Sequence, residues 1–297
     1  MIATGAAPAP MGSFDYQRPG TVADAVALLE LHGSDAQILA GGTDLVIGLR
    51  DRTIQPSTVI DVKRIPELHP AIREEAGWLS ISAGTTMTQI SAHPAIRRHF
   101  MALVEAADVV GSVQIRNRAT LAGNICNASP AADTAPPLLV FGARVLAQGP
   151  AGERRIPMAE FFVRSRETTL LRGELVVAIE LPVPPEPTGA AYLRLTRRRG
   201  TDLASITLCC GVEHSGITRL AYGSVGPKPL LFTDESGVLA DPAAAEDAKL
   251  QILVGMLAAA SPSPRSVRAS PEYRLAMLRV LALRGLRAAT ERLRGVA

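Results

Sequence analysis

Cysteine and lysine are both rare in this sequence, with three of each among 297 residues. Cys126, Cys209 and Cys210 are too few for a disulfide framework, and none stands in the CxxC spacing that holds zinc or an iron–sulfur cluster. They read as reduced thiols buried as small hydrophobes. Lys63, Lys228 and Lys249 are isolated, so the basic balance rests on arginine, and both signs of charge run along the whole chain to a net +3. No dense basic arm exists, so nothing supports nucleic-acid binding. No run of roughly 18 apolar residues occurs, and with it goes any helical membrane span. A Gly-x-Gly-x-x-Gly after a strand and a phosphate loop ending in Gly-Lys-Ser/Thr are also missing, which removes Rossmann and nucleotide-triphosphatase readings. His32, His69, His93, His99 and His214 are scattered, without His-Glu-x-x-His or a nearby serine triad, and read as surface or helix residues rather than catalysts.

What remains is an ordinary globular composition, 47% hydrophobic and 20% charged, in a chain long enough for two domains. Residues 1–12 are small and apolar, with no Lys or Arg ahead of an apolar run. They read as a flexible leader rather than a signal peptide, and the expected location is cytoplasmic.

A helix begins after Thr21, whose hydroxyl can cap it while Asp24 suits the helix dipole. Val22, Ala25, Val26 and Leu29 follow at helical spacing until Gly33. Strands are expected over residues 36–40, directly before Gly41-Gly42, and over 59–62, and at 78–83, where apolar and polar residues alternate. Helical pattern returns at 100–110. Residues 112–133 lack strong periodicity and read as an interior or cleft-lining loop. A strand over 174–181 precedes Pro182-Val183-Pro184-Pro185-Glu186-Pro187, the best candidate domain boundary. Beyond it, 206–212 and 217–222 form an expected hairpin turning at His214-Ser215-Gly216. Helices are expected over 243–260 and from Pro271 to about Leu293, the last one begun by Ser270-Pro271-Glu272. Its arginines, Arg274, Arg279, Arg284, Arg287, Arg292 and Arg294, read as a solvated face, with partner docking as the other reading.

Two segments carry chemistry. Ala40-Gly41-Gly42-Thr43-Asp44-Leu45 follows a strand, and its glycines let backbone N–H groups face an anion such as a pyrophosphate. Taken alone it is a weak signal, because a Gly-Gly turn with an Asx residue is a common structural device. The second segment runs from Arg116 through Thr120, Gly123 and Asn124 to Asp133. Small residues with amide and hydroxyl side chains suit a loop packed against a polar ligand. Asp133 equally reads as a cap for a helix starting at Thr134.

Together, in this order and separation, the segments are far more specific. From Phe14 to about Leu286 the chain resembles the FAD-binding medium subunits of the molybdenum hydroxylases, the family of xanthine dehydrogenase, aldehyde oxidoreductase and aerobic carbon monoxide dehydrogenase. The landmarks include Phe14-Asp15-Tyr16, residues 39–45, Ile60-Asp61-Val62, residues 81–86, residues 114–133, Arg198 to Ala204, and Ser270-Pro271-Glu272-Tyr273-Arg274. The resemblance implies an α+β fold of two domains. An FAD-binding domain of the vanillyl-alcohol oxidase type would span residues 13–183, and a smaller sheet-plus-helices domain residues 188–297. It implies FAD held by Leu39, Ala40, Gly41, Gly42, Thr43, Asp44 and Leu45 on one side and by Thr120, Gly123, Asn124 and Asp133 on the other. Val176 matches a residue packed near the flavin, and Arg194 stands where the family usually has a lysine, eight residues before Asp202. Ala122 likewise replaces a usual glycine.

The partners implied are a large molybdopterin-binding subunit, where substrate is oxidised, and a small [2Fe–2S] subunit, in a dimer of heterotrimers. The role implied is a relay of electrons from those clusters through FAD to an external acceptor, with no general acid or base in this chain. A standalone FAD-dependent oxidoreductase acting on a small molecule is the competing reading. A scaffold module that has lost its flavin is a third, resting only on Ala122 and Arg194.

Overall fold

The computed structural model describes residues 12–295, so all of the expected leader except Gly12 lies outside the described residues. The chain begins with a small parallel sheet. Strand β1 (Asp15–Gln17) is followed by α1 (Val22–His32), β2 (Ala36–Leu39), α2 (Leu45–Arg50) and β3 (Thr58–Asp61), and β3 lies between β1 and β2. The Thr21 hydroxyl accepts from the Asp24 N–H, and Gly33 ends α1 at a φ of 55°. The periodic side chains Ala25, Val26 and Leu29 are buried.

A second, antiparallel sheet with order β4-β5-β10-β6-β7 forms the scaffold behind the site. Its strands are β4 (Ile72–Glu75), β5 (Trp78–Ser82), β6 (Arg144–Gly149), β7 (Gly152–Pro157) and, at the centre, β10 (Leu175–Pro182). Strict alternation in β5 and β6 buries Leu79, Ile81, Val145 and Ala147 on one face. The helices α3 (Met87–Ala92), α4 (Pro94–His99), α5 (Met101–Asp108), α6 (Val113–Arg116), α7 (Leu121–Cys126) and α8 (Ala135–Val140) lie between β5 and β6 in the chain. After β7 come α9 (Met158–Phe161) and a small hairpin of β8 (Phe162–Arg164) and β9 (Glu167–Thr168). Residues 112–133, expected as loop, therefore carry two short helices. Each starts at a hydroxyl cap, Ser112 and Thr120, and each is too short to display a 3.6-residue repeat.

After the proline-rich segment a third sheet runs β11 (Gly189–Leu195), β12 (Ile206–Val212), β13 (Thr218–Gly223) and β14 (Leu230–Asp234), all antiparallel. The chain then closes with α10 (Glu246–Leu257) and the 23-residue α11 (Pro271–Leu293). Every residue of β12 is buried, because this sheet is covered on both faces. Tyr192, Cys209 and Ala221 point into the core shared with α5 and α8. Ile206, Leu208, Cys210 and Tyr222 point into a separate core with Leu253, Leu278 and Leu281 of α10 and α11. The neighbouring cysteines thus face opposite layers, and burial pushes the Cys126 and Cys210 thiols up to about 12. Burying each large aliphatic side chain here contributes roughly 1.5–3 kcal/mol. Two arginines of α11 depart from the solvated face: Arg274 is buried, and Arg292 pairs with Glu105 of α5 and donates to the Ala190 carbonyl at 2.6 Å.

Candidate functional site

The loop from Leu39 to Leu45 leaves the end of β2 and turns into α2. Gly42 has a φ of 79°, in the region that favours glycine. Among the described residues, no protein acceptor meets the backbone N–H groups of Gly41, Gly42, Thr43 and Asp44, and the stretch from Ala40 to Thr43 is half-buried. Such a row of free donors is what an anionic ligand needs. Leu45 differs from the rest of the loop: it is buried with Leu49 and Val59 and anchors α2.

The second segment meets this loop directly. A Cβ on Gly41 would stand 2.1 Å from the Arg118 carbonyl oxygen, so the two backbones touch where only glycine fits. Residues 118–121 are themselves pinned from behind. The Met87 N–H donates to the Ala119 carbonyl at 2.9 Å, and the Leu121 N–H donates to the Thr85 carbonyl at 3.2 Å. A further bond, Ala83 N–H to the Val177 carbonyl at 2.9 Å, ties this bracket to β10, where the pairing with β6 slips by one residue between Val176 and Ala178. Val176 is buried beside that bulge.

Thr120 caps α7 by accepting from the Gly123 N–H at 3.0 Å. Asn124 is held by the Thr134 hydroxyl, which donates to its side-chain oxygen at 2.7 Å. Ala122 lies inside α7 at 5% exposure, and its methyl packs into the core.

Asp133 does not cap the helix that follows it. That helix starts at Ala135 without a side-chain cap. Its carboxylate instead accepts from the Tyr192 hydroxyl at 2.5 Å and pairs with Arg194 at 3.3 Å. Arg194 also donates to the carbonyls of Val109 at 2.8 Å and Asp202 at 3.1 Å. Burial raises the Asp133 pKa above the ordinary carboxylate value, and the Tyr192 hydroxyl and Arg194 charge only partly offset it. Burial, then the Asp133 charge, push the Tyr192 phenol well above 10. Tyr192 belongs to neither of the two sequence segments that carry chemistry. It sits two residues before Arg194 on the same face of β11, and that spacing becomes visible only once the strand is recognised.

Thus Gly41 to Asp44 and residues 118–124 come together, Asp133 and Arg194 form a second cluster, Val176 lies in the sheet behind, and Leu45 turns into the core. The residues fit a dinucleotide-type cofactor: unsatisfied N–H donors for phosphate oxygens, an ordered amide and a buried carboxylate–phenol–guanidinium set. Among the described residues no group of His, Cys, Asp and Glu could hold a metal ion, and no helix is long and apolar enough to cross a membrane.

Comparison with known proteins gives the same picture. The model described as the FAD binding domain in molybdopterin dehydrogenase matches residues 12–184, and that of the CO dehydrogenase flavoprotein C-terminal domain matches residues 191–289. The chain is 33% identical over 283 residues to the carbon monoxide dehydrogenase medium chain of Hydrogenophaga pseudoflava, covering 94% of this chain and 98% of that one. It is 34% identical over 220 residues to the xanthine dehydrogenase FAD-binding subunit of Escherichia coli O157:H7, covering 72% and 75%. A solved structure of the Hydrogenophaga pseudoflava carbon monoxide dehydrogenase superposes with a TM-score of 0.86 at 32% identity, covering 95% of this chain and 98% of that chain. The chain belongs to the family of FAD-binding subunits of the molybdenum hydroxylases, oxidoreductases in which it is the flavoprotein component.

Proposed function

We propose that this chain relays electrons from the [2Fe–2S] clusters of a small partner subunit through FAD to an external acceptor, while a large molybdopterin-binding subunit oxidises the substrate. The observation that carries the reading is the contact of Gly41 with Arg118, which brings a row of free N–H donors against the start of the Thr120–Asn124 segment. In this reading the FAD-binding domain is of the vanillyl-alcohol oxidase type and spans residues 13–183, followed by a domain over 188–297. The assembly is a cytoplasmic dimer of heterotrimers.

Bound FAD supplies the conversion between single-electron and electron-pair transfer. The chain's own residues bind and orient. Gly41, Gly42, Thr43 and Asp44 offer N–H groups to the pyrophosphate, with Leu39, Ala40 and Leu45 shaping and anchoring that loop. Thr120, Gly123, Asn124 and Asp133 would hold the same pyrophosphate and ribityl portion from the other side. Val176 would pack near the flavin, and Arg194 would contact it where the family usually has a lysine. The cysteines support a partner as the source of electrons, since Cys209 and Cys210 face different cores and leave no cluster ligands together.

Co-purification of the tagged chain from its native host tests the proposal. A large molybdopterin-type chain and a small cysteine-rich chain should accompany it, with flavin absorbance in the complex. A lone yellow protein of monomer or homodimer size would overturn the relay in favour of a standalone flavoenzyme.

A further inference from the structure

Three of the five non-glycine residues with a positive φ among the described residues meet at one place. Ala128, with a φ of 45°, lies in the turn that leads from α7 to Asp133. Arg166, with a φ of 64°, donates its backbone N–H to the Ala128 carbonyl at 3.2 Å. Ser224, with a φ of 66°, donates its backbone N–H to the Pro130 carbonyl at 2.7 Å. Such backbone is costly unless its surroundings fix it, and it gathers where a site must be held in shape.

The grip on Pro130 comes from the end of β13. A Cβ on Gly223 would stand 2.6 Å from the Pro130 carbonyl oxygen, so only glycine lets the turn come this close. Ser224 follows, presenting its N–H to Pro130 and its own carbonyl to Arg274 of α11. The Arg274 guanidinium donates to that carbonyl at 2.7 Å and to the Ser266 hydroxyl. Arg274 is only 3% exposed, yet no carboxylate pairs with it among the described residues. Burial, then the charge of Arg268, lowers its pKa. A buried guanidinium without a counter-charge is costly, and here the fold aims it at the carbonyl of one strained residue.

We propose that Arg274 and Ser224 are positioning residues for the flavin: the chain Arg274–Ser224–Pro130 lets α11 fix the 127–131 turn, and with it the placing of Asn124 relative to Asp133. This rests on the reading of Thr120 to Asp133 as a cofactor segment. The two ends of that stretch have side-chain anchors of their own, Thr134 on Asn124 and Tyr192 with Arg194 on Asp133. The turn between them takes its outside support from the backbones of Arg166 and Ser224. Part of the cofactor cradle is thus held from the C-terminal end of the chain, and flavin retention depends on a residue of the last helix.

Hydrogen exchange of the full chain, with and without FAD, and fluorescence titration of FAD test this. Arg274→Met removes the donor and keeps an apolar stem. Backbone exchange across residues 125–133 should quicken at least about tenfold while β5 and β6 exchange as in the parent. FAD should bind about tenfold or more weakly, the loss expected for one charge-assisted hydrogen bond. Arg274→Lys, which keeps a donor, should bind FAD more tightly than Arg274→Met. Gly223→Ala displaces the same turn from β13 and should also weaken FAD binding. Because both variants act through Pro130, the double variant should lose less than the two separate losses combined.

Unaltered exchange across 125–133, or FAD affinity within twofold of the parent in Arg274→Met, would overturn the inference. Exchange quickened equally over all of β11 to β14 would overturn it too, by making Arg274 a general support of that sheet. Arg274 also borders the cleft shared by Asp44 and the 127–131 turn. Fully additive losses in the double variant would therefore place it in contact with the cofactor and sink the positioning role. A parent chain that binds no FAD would count against the flavin reading itself, and exchange across 125–133 would still decide whether Arg274 holds the turn.

Discussion

Replacing Gly41 with alanine perturbs the one point where the two cofactor loops touch through their backbones. The added Cβ would lie 2.1 Å from the Arg118 carbonyl oxygen and 2.9 Å from its carbon, whereas ordinary contact begins near 3.4 Å. The loops must therefore part by about 1.3 Å, since no flexible side chain is available to yield. Residue 118 cannot retreat cheaply, because the bonds to Thr85 and Met87 hold its neighbours from the other side. Overpacking of this kind costs typically 1–3 kcal/mol. An FAD-free chain can relieve part of the clash by opening, but a cofactor bridging both loops forces it closed again. If most of the cost falls on binding, the FAD dissociation constant should rise about 5- to 150-fold. Titration of the flavin-stripped chain by quenching of flavin fluorescence would measure this, with melting curves in parallel. Gly255→Ala in α10 is the control, since a Cβ there meets nothing within 4 Å. That variant should bind FAD normally and gain up to about 1 kcal/mol of stability from helix propensity. A Gly41→Ala chain that bound FAD within about twofold of the parent would refute the bracketed-loop account, because that factor corresponds to well under 1 kcal/mol.

Three further outcomes follow from the same geometry. Tyr192→Phe removes the 2.5 Å donor to Asp133, and should cost about 1–3 kcal/mol while raising the Asp133 pKa further, read by chemical denaturation and carboxyl titration. Arg194→Lys replaces a fork that reaches Val109, Asp133 and Asp202 with a single ammonium. It should lower stability by roughly 1–2 kcal/mol and shift the flavin midpoint potential, with FAD retained. Glu174 accepts from Arg154 at 2.9 and 2.7 Å and from the Leu171 N–H at 2.7 Å, and this pairing with Arg154 holds its pKa below the ordinary 4.5. The unfolded chain then takes up a proton at that site before the folded chain does. The stability contributed by the pair is thus present above about pH 4.5 and lost as pH falls through the depressed folded value. Glu174→Gln should cost about 1–3 kcal/mol at neutral pH, discounted for the partly exposed arginine, and should flatten the acid limb of the stability curve.

The parts of this molecule that were legible in the sequence are those where one local rule decides. Thr21, Asp24 and Gly33 bracket α1, period-two alternation marks β5, and Ser270-Pro271 opens α11. Other strands carry mixed local signals. β11 begins Gly-Ala-Ala directly behind the prolines, and it forms because Gly189 lets α11 approach: a Cβ there would stand 2.1 Å from the Ala289 carbonyl. β7, with sequence Gly-Glu-Arg-Arg-Ile-Pro, is an exposed edge held by β6 rather than by its own propensity. The cofactor loops could be found as motifs because glycine, threonine and asparagine were needed at fixed places. Their joint geometry could not, since it depends on the 83–87 bracket, whose bonds are all made by backbone. The Asp133 cluster shows the limit most clearly. A carboxylate before a helix satisfies the capping rule perfectly well, and only the long-range arrival of Tyr192 and Arg194, 59 and 61 residues away, turns it from a cap into the centre of a buried polar network. Residues with two locally acceptable roles are assigned by tertiary partners, and in this chain those are the residues on which the proposed flavin chemistry depends.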